Sequence, residues 1–298
     1  MERISFYDQI ASNNRKSVIL MIIVFLVFIL LGYVISLIVD PGYFFIIMIM
    51  SIIISLLYIT FSYYNADKIA LASVRAKPAD ENRYREYHNI IEGLCLASGI
   101  PKPKLYIMEN ENINAFASGR NPEHAVVCVT TGALRKLNKQ ELEGVLAHEL
   151  GHVANYDIRF MTLTAVIVGM IAIVSEIFLR SLFFKNMGND REKGNAILIL
   201  IGIVLAILAP VFVQLVQLSI SRKREYTADA SAVKFVRSPT GLISALKKIE
   251  KESQTIESKK IPKAVAPLFI SDPFKKRLQE AFSTHPPINK RIEILERM

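Results

Sequence analysis

Cysteine is scarce in this chain: Cys95 and Cys128 are the only two among 298 residues, and they form no paired metal-binding spacing. That excludes a disulfide-stapled scaffold and fits a reducing compartment in which both thiols serve packing. Internal repeats and Gly/Ser linkers are also missing, so a string of tethered modules is not expected. Charge is missing in long blocks. Ser17–Val39, Tyr43–Tyr64 and Ala196–Ser219 contain no charged residue, and Phe160–Phe184 contains only Glu176 and Arg180. Each block is long enough to cross a hydrocarbon core of about 30 Å as a helix. Four spans are expected.

What is present fits that reading. Hydrophobic residues make up 52% of the chain, more than one soluble core needs. A cleaved signal peptide is the alternative for the first block. Its apolar stretch is too long for that, and no small-residue cleavage pattern precedes Asp40-Pro41-Gly42, which reads as a tight turn between two spans. The net charge of +9 is concentrated beside the spans, at Arg15, Lys16, Lys68, Arg75, Lys77 and Arg222–Arg224. That is the pattern of membrane orientation and anionic-lipid contact, so nucleic acid is not an expected partner. It puts the N-terminus, residues 67–159 and the C-terminus in the cytoplasm. Glu176 and Arg180, at i and i+4 near the far interface, read as a structural ion pair.

The expected organisation is a cytoplasmic N-terminus (1–16), a membrane hairpin (17–64), a first catalytic part (65–159), a second hairpin (160–219) and a second catalytic part (220–298). Asn82–Ser98 has the spacing of an amphipathic helix. Lys104–Met108 and Ala125–Thr131 are β-rich runs, and Asn114-Ala115-Phe116-Ala117 between them suits an edge strand. Asn138, with Glu141 at the capping-box position, opens a helix that nothing in the sequence breaks before the third span. Ser238-Pro239 starts another helix. Pro286-Pro287 precedes a last one with Ile288, Ile292 and Leu295 on one face.

The chemistry centres on His148-Glu149-Leu150-Gly151-His152. Histidines at i and i+4 share one helix face, so two imidazoles can hold one Zn²⁺ at about 2.0–2.1 Å. Glu149 is rotated by about 100° and serves better as a base toward water at the metal than as a third ligand. Gly151 allows another segment to approach the helix. Two core histidines are the bland alternative, so a third ligand decides the matter. Glu225 and Asp229, again i and i+4, follow the fourth span. Glu225 can complete a two-His, one-Glu set, with Asp229 the acceptor that orients one histidine; a solvated charge run is the alternative. Both segments lie just inside the same membrane face.

A HELGH helix feeding a span, followed after a membrane hairpin by Ser-Arg-x-Arg-Glu-x-x-Ala-Asp, resembles the HtpX membrane metalloproteases, gluzincins related to the prenyl-protein endopeptidases. With Asn114–Ala117 and Thr284-His285-Pro286, the resemblance covers nearly the whole chain. It implies a mostly α integral membrane protein with an α+β zincin-like catalytic domain. It implies one zinc on His148, His152 and Glu225, and Glu149 as catalytic base. It also implies polypeptide substrates, drawn from membrane proteins under quality control and stress, pairing along Asn114, Ala115, Phe116 and Ala117. His285 is a candidate oxyanion stabiliser, with a structural role at the helix start as its alternative and Tyr226 and Arg222 as rivals. Two other functions compete: processing of specific lipidated peptides, and a catalytically silent scaffold with structural zinc.

Overall fold

The computed structural model describes residues 6–36, 41–165, 222–253, 269–270 and 286–298. Expectations for the third and fourth apolar blocks beyond residue 165, for Glu176 and Arg180, and for Thr284 and His285 lie outside the described residues.

Two long helices come first, α1 (Phe6–Ser36) and α2 (Phe44–Ser73), joined after a short 3-10 turn at Pro41–Tyr43. Both are long and apolar enough to cross a membrane, over Ala11–Leu30 and Phe44–Ser73. They pack along each other, while Leu26, Phe45 and Leu57 point outward. An apolar surface of that size on a helix pair is stable against lipid and unfavourable in water. The structure extends the first helix below the expected span. Residues 6–16, ahead of the expected span, form its first turns, and α2 likewise continues past Tyr64.

The polar part holds a sheet of β1 (Lys77–Pro78), β2 (Lys104–Met108), β3 (Ala115–Gly119) and β4 (Ala125–Thr130) in the order β1-β2-β4-β3. The β2–β4 pair is parallel and the other two are antiparallel. β3 is the edge expected from Asn114–Ala117, shifted one residue. Every residue of β4 is buried because both sheet faces are covered. Val127 and Val129 face α3 (Arg85–Ser98) and α5 (Lys139–Ala154), whereas Val126 and Cys128 pack with Ala70 and Leu71 of α2 and with Met161. Cys95 and Cys128 are both buried and unpaired as thiols.

The short helix α4 (Thr131–Lys136) leads into α5, which opens on the expected capping box: Asn138 accepts from the Glu141 backbone, and the Glu141 carboxylate accepts from Asn138 N–H. The sequence suggested one unbroken helix into the third span. Instead α5 ends at Ala154, Tyr156 adopts φ 58°, and a new helix, α6, begins at residue 157. Polar contacts at Asn155 and Asp157 hold that turn. α7 (Arg222–Val236), α8 (Thr240–Ser253) and α9 (Ile288–Leu295) complete the described chain.

α8 touches α5 backbone to backbone. A Cβ placed on Gly144 would lie 2.5 Å from Leu242 N and 2.8 Å from Leu242 Cα. Gly144→Ala is therefore expected to destabilise the fold by about 1–3 kcal/mol through overpacking. Gly93 on α3 is the contrast, since its Cβ would meet nothing within 4 Å. Gly93→Ala is expected to be stabilising by roughly 0.5–1 kcal/mol. Thermal unfolding in detergent checks the pair; equal melting shifts would defeat the close-approach argument.

Candidate metal centre

His148 and His152 stand one turn apart on α5, with ring centroids 4.8 Å apart and planes crossing at 86°. Both are buried, as is Glu149 between them. α7 meets this stretch at Gly151, where a Cβ would lie 2.9 Å from Ala228 O and 3.1 Å from Ala228 Cα. Ala228 falls between Glu225 and Asp229, so the contact that only glycine permits brings both carboxylates to the histidines.

Glu225 enters between the imidazoles. Its Oε2 is 3.8 Å from His148 Nε2 and its Oε1 is 3.5 Å from His152 Nε2. Those separations are too long for good hydrogen bonds. Donor atoms placed tetrahedrally at about 2.0–2.2 Å from one ion stand roughly 3.3–3.6 Å apart, close to what is seen. One ligand atom from each residue falls within 4.8 Å of the others, so the trio fits a metal ion.

The remaining ring nitrogen of each histidine faces its own carboxylate. His148 Nδ1 lies 2.8 Å from Asp229 Oδ1, as the i, i+4 spacing of Glu225 and Asp229 suggested. His152 Nδ1 lies 3.0 Å from Asp157 Oδ2, a partner that sequence reasoning missed. Carboxylates so placed hold the Nδ1–H tautomer and turn Nε2 toward Glu225, with Arg291 Nη2 also 3.4 Å from His148 Nε2.

Arg291 of α9 is the second missed residue. It is fully buried, donating from Nη2 to Asp229 Oδ1 at 2.6 Å and from Nε to Asp229 Oδ2 at 2.9 Å. Its Nη1 is 3.4 Å from Glu225 Oε2. Burial and then Arg291 drive the His148 imidazole down to about 4. At His152 burial acts in the same direction, but Asp157 and Glu225 outweigh it and push the imidazole up to about 10. Asp157 and Glu225 thus favour positive charge at His152, while Arg291 opposes a second proton on His148.

Glu149 is held by burial at about 7, accepts a hydrogen bond from the Ala117 backbone, and keeps Oε1 without a hydrogen-bond partner among the described residues. The base candidate is thereby tied to β3. Asn114, just before that strand, and Ala115, Phe116 and Ala117 on it are all buried, and part of the edge is taken. Ile270 N–H donates to Ala115 O at 3.0 Å, and Phe269 bridges Phe116 in antiparallel fashion with rings 5.0 Å apart. Tyr226 is half-buried.

Residues 81–298 match the profile of peptidase family M48. The chain belongs to peptidase family M48. Over 301 residues it is 43% identical to "Protease HtpX homolog" of Thermoanaerobacter pseudethanolicus, covering 99% of each chain. The "Protease HtpX homolog" of Streptococcus agalactiae serotype III is 40% identical over 297 residues, 98% of this chain and 99% of that one. Among solved structures, S. mikatae Ste24p is 19% identical with a TM-score of 0.47; the match covers 89% of this chain but spans only 62% of that protein's length. This M48 chain is thus a peptidase of the membrane type, with two helices apolar enough to span and a His–His–Glu group able to hold a metal among the described residues.

Two of the residues around this M48 site lay outside the HELGH and Glu-x-x-x-Asp patterns. Asp157 carried a weak signal, an acidic residue just beyond the histidine helix. Arg291 carried none, because one arginine on an amphipathic terminal helix reads as solvated. Removing Arg291 leaves Asp229 and Glu225 without their buried guanidinium, and breaking such a pair costs about 3–5 kcal/mol. Arg291→Met is expected to destabilise the metal-free protein by that order, and by less as Zn²⁺ is added, because the dication then supplies the missing charge. Denaturant unfolding with and without Zn²⁺ checks this; a deficit that Zn²⁺ leaves unchanged would count against the shared electrostatic centre.

Proposed function

We propose that this M48 chain is a zinc-dependent endopeptidase that hydrolyses peptide bonds of membrane proteins at the cytoplasmic membrane face. The observation that carries it is the trio His148, His152 and Glu225, gathered at ligand spacing with Glu149 beside it. Zinc rather than a harder cation suits two imidazoles and one carboxylate, one ion per chain. Bound there, it would supply Lewis acidity toward a carbonyl and make water nucleophilic near neutral pH.

The chain's own residues do the rest. Glu149 Oε1 takes the proton of the attacking water and returns it to the leaving amine. The Ala117 backbone holds Glu149 to β3, so a substrate strand pairing along Ala115–Ala117 is in fixed register with the base. Backbone pairing reads extended chain more than side-chain identity, which suits unfolded membrane proteins and a role in quality control under stress. Such a substrate must displace Phe269–Ile270 from Ala115–Phe116 or pair further along toward Gly119. Asp229 and Asp157 keep the imidazoles oriented.

In this reading the chain crosses a cell membrane four times. Residues 65–159 and 220–298 form one cytoplasmic catalytic unit interrupted by the 160–219 hairpin, with His285, Tyr226 and Arg222 as the rival candidates for oxyanion donor. Cysteines placed at 185–195 are expected to label from the outer side only; labelling from the cytoplasmic side would overturn the full-span topology. Glu149→Gln is expected to keep one zinc per chain and an unchanged melting point, yet to lose cleavage of a model membrane protein by at least about a hundredfold, the scale of general-base catalysis. Zinc removal by a chelator is expected to abolish cleavage in the parent protein. Sustained cleavage by the Gln variant, or by the chelated parent, would defeat the reading.

A further inference from the structure

The turn that ends α5 has a task of its own. On a continuous helix Asp157 would sit five residues beyond His152, rotated by roughly 140° away from it at about 100° per residue. Asp157 reaches His152 Nδ1 because Tyr156 takes φ 58°, a left-handed conformation that costs a non-glycine residue on the order of 1 kcal/mol or more. Such a turn persists only where its surroundings impose it.

Asn13 imposes it. This residue lies on the first apolar helix, 142 positions from Asn155, and is 2% exposed. Its Nδ2 donates to Asn155 O at 3.2 Å and to Asp157 Oδ1 at 2.6 Å, one bond on each side of Tyr156. Both partners are acceptors, which fixes the amide with its NH₂ toward the turn. Asp157 thus has one oxygen on Asn13 and the other on His152. Asn13 lies in the polar first turns of α1, and a buried amide is costly unless its bonds are made; here they are made at the border of the candidate metal centre.

We propose that Asn13 is a positioning residue for His152, acting through Asp157. The first membrane helix is then part of the metal centre and not only its anchor. This rests on reading His148, His152 and Glu225 as the zinc site.

The test uses the full-length protein in detergent, loaded with Zn²⁺, with release followed by a chromophoric chelator in excess. Loss of a partner behind a metal-binding histidine weakens retention by about 10–100-fold. Asn13→Ala is expected to release Zn²⁺ about tenfold faster than the parent, and Asp157→Asn at least as fast. The double variant is expected to match Asp157→Asn alone, because the amide reaches His152 only through that carboxylate. Asn13→Gln, which keeps the amide on a longer arm, is expected to fall between parent and Ala, and it remains readable should the Ala variant not fold. Ser17→Ala, a buried change on the same helix that leaves the amide in place, is expected to release as the parent does. Parental release by Asn13→Ala, multiplicative effects in the double variant, or equal acceleration by Ser17→Ala would overturn the proposal while the parent still binds zinc. A parent that takes up no Zn²⁺ would instead overturn the zinc reading, and the positioning role with it.

Discussion

Two helix backbones touch where Gly151 of α5 meets Ala228 of α7, and the metal centre follows from that contact. It sets how far Glu225 reaches between the imidazoles and where Asp229 meets His148. A methyl group at residue 151 would push α7 outward by a few tenths of an ångström or more. Ligand distances tolerate little of that. The similar approach at Gly144 fixes α8 against the same helix, so α5 is gripped near both ends. Segments 77 and 98 positions apart in the chain are thereby held with the precision of neighbours.

Around the trio lies a shell of opposite charges. Asp157, Asp229 and Arg291 surround His148, His152 and Glu225, all of them buried. In such surroundings an unmatched charge is strongly unfavourable, so each group specifies the others. The outer members come from remote parts of the chain: Asp157 follows the histidine helix, and Arg291 comes from the last helix. Asn13, from the first, borders the shell. The centre closes only when both ends of the chain have arrived.

Much of this was legible in the sequence, for definite reasons. The HELGH spacing, the Glu225–Asp229 spacing and the Asn138–Glu141 capping box are local patterns, and local geometry turns each into a position. The β3 edge and β4 were legible as short apolar runs. The break at Asn155–Tyr156 was not, because neither residue is glycine or proline and the left-handed turn is held by contacts from α1. Arg291 and Asn13 were hidden for a related reason. Each is a single polar residue whose meaning depends on what it touches, and those partners lie 62 to 144 positions away. The Phe269–Ile270 pairing with β3 joins the same class, a tertiary contact with no sequence signature.

That pairing turns the edge strand into a competitive binding surface. The hydrogen bond from Ile270 to Ala115 O is intramolecular, so its partner is present at high effective concentration and never diffuses away. An incoming segment engages Ala115 only when it offers enough backbone to outcompete it, and the observed affinity falls by the fraction of time the edge is covered. Under the β3 pairing proposed above, a segment able to present one or two bonds would lose that competition, and a long extended one would gain purchase beyond Ala117. Selectivity for unfolded chain over folded protein would then arise at the strand edge, from length alone.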